Sequence, residues 1–568
     1  VKIDYDKKQG VLALDCELKE TTLIAMRLRA FGGKLEKSKK RWVFPATMTV
    51  YHKLSPLCHS LTTENGSIWR SQEMEREKML RWVKGIGEER PLGLQPGRVP
   101  EFKTKPYSFQ TAGAYFLTQM RGALLLDEMG LGKTKEAIDA VCWILSGQRA
   151  IGCVGRIVVV CPNSLKLNWK NEIEKHGWGL NMAVVPDGTT AERRKYLLGW
   201  PNHYPTAPWV ILNYESLWYF ETEFLAACEG SILIFDEIHR LKNPRARVTK
   251  IAMRARPAYI WGLTGTLIAN KLEDCWSPVH LVRPGLLKWN FWTFAKKHIK
   301  RAPNNMIVGY NDVETVKKPV SVVSLRRTKE ECLDLPEKVF ETRIVELGKD
   351  ERRAYEMMRD EMRAWFETVG GEPTVAEAQT FATKLTRLRQ IMDGLVSEGV
   401  GGAQAWSKSL TKIKEAVALF EDAGQKVVYW VQYVPVGSKL ALALGTPYWI
   451  CGGTPVAERA ELIMHWSRHG NVPLVGQMDV MGEGLNLQVA SLQVFIDVPW
   501  TPKQRLQCVD RLHRIGQDNK VVVVDILARD TVDNMLTKRL EKRITDAESL
   551  TEGAVARWSR KEMEEAIG

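Results

Sequence analysis

Short apolar runs alternate with longer, charged, helix-compatible stretches over most of this chain, as buried parallel strands and their covering helices do in α/β sheets. The first series is ALLLD (123–127), RIVVVCP (156–162), WVILNY (209–214), SILIFDE (231–237) and YIWGLTG (259–265). A second series follows Pro336: KVVYWVQY (426–433), PLVGQM (473–478), LQVFIDVPW (492–500) and VVVVDIL (521–527). Two α/β lobes are expected, 107–335 and 336–545, with mainly helical insertions at about 271–320 and about 349–410 that are rich in Lys, Arg and Trp. Residues 91–106, PLGLQPGRVPEFKTKP, are Pro- and Gly-rich without periodicity. They read as a linker after a small α+β unit at 1–90, and residues 546–568 read as a tail. There is no repeat of fixed period and no long low-complexity segment.

With 568 residues the chain exceeds one hydrophobic core, and at roughly 150 residues per domain it suggests three or four units. No apolar run approaches the ~18 residues that span a bilayer, so a soluble protein without a membrane partner is expected. The start, VKIDYDKKQG, lacks a signal peptide's apolar centre, so the protein is expected where it is made. That is the cytoplasm for a bacterial or viral protein and the nucleus for a eukaryotic one, and the lack of a recognisable chromatin-reader or nuclease module favours bacterial or phage origin. Ten cysteines occur without a CxxC pair, against a disulfide framework and against zinc. A net charge of +14 favours a polyanionic partner, although many soluble proteins are basic for no functional reason.

The chemistry starts where ALLLD meets the turn Glu128, Met129, Gly130, Leu131, Gly132 and the run KTKEAIDAVCWIL. Backbone N–H groups in such a turn, with a helix N-terminus behind them, cradle phosphate oxygens. With ATP as ligand, Lys133 reaches the β and γ phosphates and the Thr134 hydroxyl ligates Mg²⁺. Asp127 stands where the strict P-loop expression has its first Gly, and GLGKT alone also reads as an ordinary turn before a surface helix. SILIFDEIH strengthens the phosphate reading, because its strand ends at Asp236, where open parallel sheets bind ligands. Asp236 can hold Mg²⁺, and Glu237 can orient and deprotonate an attacking water, which an ATPase needs and a passive binder does not. Without Lys133 the acidic pair would read as a solvated strand end. Gln110, in KPYSFQTAGAYFL, carries an amide that matches the adenine N6/N7 edge, with a structural role as its other reading.

In order, FQ, DEMGLGKT, CPNSLKLNW, NYESL, DEIH, LTGTLIAN, LRRTKEE, GEGLNL and DRLHRIGQ resemble the motif series of superfamily 2 helicase-like ATPases. More narrowly they resemble the Swi/Snf family of double-stranded DNA translocases, from about residue 105 to 530. The resemblance implies two tandem RecA-like lobes closing on one ATP. It places Gln110 against adenine, Gly130, Gly132, Lys133 and Thr134 around the phosphates, Asp236 on the metal and Glu237 on the water. His239, Thr264, Gly265, Thr266 and Gly484 would couple nucleotide state to DNA grip. Arg511 and Arg514 would approach the γ phosphate from the second lobe, with Gln507 in the same cluster. A guanidinium offered across a cleft stabilises phosphoryl-transfer charge only when the cleft closes, so hydrolysis becomes motion.

Such enzymes track one strand of the duplex through backbone contacts, for which Pro162, Ser164, Trp169, Asn213, the stretch Gly482 to Asn486 and Trp500 are the candidates. Trp500 also reads as a packed core residue. Leu267, Ile238 and Thr501 depart from the family pattern, which usually has Pro, a small residue and Asn there. In the first 90 residues, Lys37, Lys39, Lys40 and Arg41 lie beside Trp42 and Phe44, a grouping that can bind phosphate while stacking on an exposed base. It resembles the HARP substrate-recognition domain of annealing helicases; its other reading is a hairpin with a solvated Lys-rich turn. The expected function is ATP-driven movement of a monomer on double-stranded or branched DNA, as in fork remodelling, strand annealing or DNA repair. A strand-separating DNA or RNA helicase is one rival. A nucleic-acid-binding scaffold with a dead ATP site is the other, and the presence of Lys133, Asp236, Glu237, Arg511 and Arg514 argues against it.

Overall fold

The computed structural model describes residues 99–148, 156–178, 182–186, 189–194, 209–265, 267, 272–301, 307–367, 375–397, 404–482 and 485–549, with five strands in the first 98 residues. Thr266, Gly484, Lys37, Lys39 and Lys40 therefore lie outside the described residues. The chain divides into two compact units, Val1–Val99 and Pro100–Gly568.

In the first unit, β1 (Lys2–Asp6), β2 (Val11–Asp15), β3 (Lys34–Glu36), β4 (Arg41–Pro45) and β5 (Ser60–Leu61) form one sheet in the order β3-β4-β2-β1-β5. All its pairs are antiparallel except β1 with β5. β3 and β4 set Leu35 opposite Trp42 and Glu36 opposite Arg41.

The second unit holds two all-parallel sheets, the RecA-like lobes. The first lobe contains β6 (Gly122–Leu125), β7 (Ile157–Cys161), β8 (Met182–Val184), β9 (Trp209–Asn213), β10 (Ile232–Asp236) and β11 (Tyr259–Leu263). A small antiparallel hairpin, β12 (Ile299–Arg301) with β13 (Ile307–Tyr310), interrupts an otherwise helical insertion before β14 (Ser324–Leu325). The sheet order is β14-β6-β11-β10-β7-β9-β8. In the second lobe β15 (Lys338–Val345) precedes the hairpin of β16 (Leu395–Ser397) and β17 (Gln404–Trp406). Then come β18 (Val427–Val431), β19 (Trp449–Ile450), β20 (Leu474–Gln477), β21 (Leu492–Phe495) and β22 (Val521–Ala528), in the order β15-β22-β21-β18-β20-β19.

Every apolar run read from the sequence is a strand, and the central ones are buried along their whole length because helices cover both faces. Six helices matter below: α1 (Ser108–Gln119), α2 (Lys133–Trp143), α3 (Lys166–His176), α4 (Lys349–Glu367), α5 (Val375–Met392) and α6 (Pro502–Val509). The second insertion is part of a core. From α4 and α5, Tyr355, Met362, Phe381, Leu385 and Leu388 pack on Val427, Tyr429, Val494 and Ile526 of the second sheet. At about 1.5–3 kcal/mol per buried large aliphatic or aromatic side chain, these helices are integral to the lobe. Trp430, Trp466, Leu474, Met478 and Leu512 fill a second core in the same lobe.

The departures from the family pattern are accommodated locally. Ile238 fits because Gly262 lies opposite; a Cβ there would come within 2.4 Å of Ile238 Cδ1. Thr501 replaces Asn as the cap of α6, its hydroxyl accepting the Gln504 N–H at 3.1 Å. Leu267 is buried.

Candidate nucleotide and nucleic-acid site

The C-terminal ends of the first sheet's strands deliver the site, as the sequence pattern implied. β6 leads to Asp127 and the glycine turn, β10 ends at Asp236, and β11 leads to Thr264. Gly130 (φ 91°) and Gly132 (φ 88°) lie in the left-handed region that L side chains rarely adopt. Gly132 caps α2, and a Cβ on it would come within 2.5 Å of the Gln110 amide nitrogen. The half-buried Lys133 donates to the carbonyls of Asp127 (2.7 Å) and Glu128 (3.3 Å). Thr134 follows it in the first turn of α2.

Gln110 accepts the Tyr107 N–H at 3.1 Å and donates to the Leu131 carbonyl at 3.0 Å. Its amide ties the start of α1 to the phosphate turn, a structural role beside the adenine contact that the sequence suggests. Gly265 touches the turn from the other side, its would-be Cβ 2.9 Å from Met129 Cγ.

Asp236 is buried, its Oδ2 accepting the Trp169 indole N–H at 2.8 Å and its Oδ1 the Glu237 N–H at 3.0 Å. Burial first, then the neighbouring Glu237 charge, pushes the Asp236 carboxyl well above the usual carboxylate range. Burial also opposes ionisation of Glu237, but the His239 hydrogen bond and the charges of Lys133 and Lys503 outweigh it and hold Glu237 low. These opposite directions favour the charged form of Glu237, the form in which a carboxylate can take a proton from water. Its Oε2 accepts from the Thr264 hydroxyl at 3.1 Å and lies 3.1 Å from His239 Nδ1. The Lys133 charge acts on both carboxylates. Thr134 and Asp236 offer only hard oxygen donors, a set that suits Mg²⁺.

The second lobe closes against this edge. A Cβ at Gly130 would lie 3.1 Å from Arg514 Cβ and 3.2 Å from Lys329 Cε. Arg514 donates to the Asn486 side-chain oxygen. Burial and the like charge of Arg511 push its guanidinium down to about 10. Arg511 donates to the Gln507 carbonyl at 3.2 Å. Gln507 is buried, and its side-chain nitrogen has no hydrogen-bond partner among the described residues.

Three cations of this site were given no role by the sequence reading. Arg327, just past β14, grips the Asp127 carboxylate through Nε (3.1 and 3.2 Å) and Nη2 and reaches Glu136 at 2.7 Å, all three side chains being buried. This explains Asp127 in place of the P-loop glycine. Lys329 bridges the lobes, its ammonium 2.5 Å from Asp510 Oδ1 and 2.8 Å from the His513 carbonyl, its N–H donating to Glu128 at 2.8 Å. Lys503, on α6, lies 2.8 Å from His239 Nε2.

The strand-contact candidates divide. Pro162, Ser164 and Asn213 meet Glu215, Arg240, Arg459, Asp479 and Val480 around an open cleft of about 390 Å³ between the lobes. Asn213 is buried there and accepts the Ser216 hydroxyl. Trp169 is instead fully buried, because its indole is committed to Asp236, and its ring is not offered to a strand. Trp500 is half-buried, with the Arg389 guanidinium stacked 4.1 Å over its ring. The side chain of Arg41 lies outside the described residues.

Two parallel lobes meeting over a glycine turn and an acidic strand end define a helicase-like ATPase core. The SNF2-related domain is matched over residues 37–395 and the helicase conserved C-terminal domain over 411–516, so the chain belongs to the SNF2 family. It is 26% identical over 418 residues to the uncharacterized ATP-dependent helicase MG018 of Mycoplasma genitalium, covering 72% of this chain and 38% of that protein. Mouse chromodomain-helicase-DNA-binding protein 1-like is 26% identical over 476 residues, covering 78% of this chain and 50% of its own length. The chain thus spans half or less of these relatives. Among solved structures, the Sulfolobus solfataricus SWI2/SNF2 ATPase core in complex with dsDNA is 23% identical with a TM-score of 0.39, covering 80% of this chain and 95% of that one. No helix among the described residues is long and apolar enough to cross a membrane.

Proposed function

We propose that the chain is an ATP-driven motor that moves along double-stranded DNA, in which one lobe holds the phosphates and the other supplies the arginines. The observation that carries this is the packing of Arg514 directly on Gly130 of the phosphate turn, within the same site as Lys133, Asp236 and Glu237. In the reaction the water oxygen bonds to the γ phosphorus and its proton passes to Glu237. The bond to the bridging oxygen breaks, and the electron pair leaves on ADP. Lys133 holds the phosphates in line, and Arg511 and Arg514 neutralise the charge that develops on the transferred group. Thr134 and Asp236 would hold Mg²⁺, which would supply further charge neutralisation when bound.

We take duplex DNA as the track: Ser164, Asn213, Arg240 and Arg459 line an interlobe cleft that also carries Glu215 and Asp479, and contacts to a phosphate backbone there position without base readout. The names of the relatives, which speak of helicases and of DNA binding, agree with this. Within this function we assign fork remodelling or strand annealing to the protein, and a HARP-like role in branched-DNA recognition to Lys37, Lys39, Lys40 and Arg41.

The test is the ATPase rate with blunt duplex, single-stranded DNA, forked DNA and RNA. Stimulation by duplex, and more by forks, is expected, with the fork preference lost on neutralising the four basic residues. Stimulation by single strands or RNA alone would make the protein a strand-separating helicase.

A further inference from the structure

We propose that Lys503 of the second lobe is a positioning residue for Glu237, acting through His239 of the first, so that the water-activating carboxylate is correctly held only while the lobes are closed. The inference rests on the ATPase reading above and adds to it a sensor of closure that lies outside the phosphate-facing arginines.

An ammonium group only donates hydrogen bonds. With Lys503 Nζ 2.8 Å from His239 Nε2, that nitrogen accepts, and the ring proton resides on Nδ1. Nδ1 lies 3.1 Å from Glu237 Oε2 and 3.0 Å from Thr264 Oγ1, and the Thr264 hydroxyl donates to the same Oε2 at 3.1 Å. The Nδ1 proton, shared between Thr264 Oγ1 and Glu237 Oε2, and the Thr264 hydroxyl therefore orient one carboxylate oxygen, and the cation from the other lobe selects the tautomer of the ring. Without the ammonium the Nε2–H tautomer becomes available. Its Nδ1 lone pair would face Oε2, acceptor against acceptor, and one of the two orienting bonds would go. Glu237 has little intrinsic rigidity to compensate, since its backbone sits at φ 54°, a left-handed conformation that a non-glycine residue keeps only through its surroundings.

Lys503 is well placed to report the position of its lobe. It is the second residue of α6, whose start is fixed by the Thr501 cap. Next to it, Gln504 donates to Asp479 Oδ1 (2.6 Å) and Gln432 Oε1 (3.0 Å) and accepts the Trp500 N–H (2.9 Å). Movement of the second lobe therefore carries the ammonium with it.

The test compares Lys503→Met, which keeps the stem and removes the charge, with Lys503→Arg, His239→Gln and the double variant Lys503→Met/His239→Gln. Steady-state ATP hydrolysis is measured on the full chain with saturating duplex DNA. Lys503→Met is expected to lower kcat about tenfold with KM for ATP within about twofold, and Lys503→Arg to recover most of the loss. In the His239→Gln background Lys503→Met should have no further effect. An unchanged kcat, a loss confined to KM, or losses that multiply in the double variant would overturn the proposal and leave Lys503 as a simple docking contact. If the wild type and Lys133→Ala hydrolyse ATP alike, the ATPase reading fails and this inference with it. If the wild type is active and Lys133-dependent while Lys503→Met matches it, only this inference fails.

Discussion

Lys133→Ala is expected to bring ATP hydrolysis close to background while leaving the fold intact. The ammonium is the charge that the structure places against the phosphate turn, held on the Asp127 and Glu128 carbonyls, and it acts on both Asp236 and Glu237. Removing it takes away a charged donor at the transferred phosphate, worth about 10²–10³ in rate for a single preorganised donor, and also weakens nucleotide binding. Lys133 is half-buried and bonds only backbone carbonyls of its own turn, so stability should hardly move. Steady-state turnover and a thermal melt on the same sample check both halves of this expectation. Appreciable turnover by the variant would remove Lys133 from the reaction.

The largest loss of stability is expected from Arg327→Ala. Its guanidinium lies between the buried carboxylates of Asp127 and Glu136 and also donates to the Phe109 carbonyl. Burial first raises the Glu136 carboxyl, and the charge of Asp127 raises it further, so that the Arg327 cation is what makes the pair tolerable. Breaking a buried ion pair by removing one partner typically costs about 3–5 kcal/mol, because the remaining charge is left unpaired out of water. The cost falls on the phosphate turn itself, through Asp127, and on α1, through Phe109. Chemical denaturation followed by tryptophan fluorescence should show the first lobe unfolding at markedly lower denaturant. An unchanged midpoint would mean that the site relaxes or hydrates.

Much of this protein is legible in its sequence because its central strands are buried on both faces and so appear as unbroken apolar runs. IVVVC, ILIFD and VVYWV are of this kind. KVFETRIV was missed for the opposite reason. It is an edge strand, paired along its whole length with β22, whose alternating Glu341 and Arg343 hide the apolar signal. The insertion helices α4 and α5 were visible as helices, but only packing shows that they belong to the second lobe's core. The site divides in the same way. Asp236 and Glu237 announce themselves at a strand end and Lys133 behind a glycine turn, whereas Arg327, Lys329 and Lys503 matter through partners 200, 181 and 264 positions away, which no local pattern contains. Trp169 became a strand-contact candidate only through the family resemblance, whereas its indole serves the buried Asp236.

The central claim is that the second lobe completes the ATP site of the first, and Arg514→Ala tests it most directly when hydrolysis and ATP affinity are measured on the same protein. Arg514 packs on Gly130, and burial and the like charge of Arg511 both disfavour its charged guanidinium. The predicted result is a loss of about 10³-fold or more in DNA-stimulated kcat, as for other arginines supplied across a cleft, with ATP affinity changed by no more than a few-fold. Wild-type turnover, or a loss of affinity as large as the loss of rate, would contradict it.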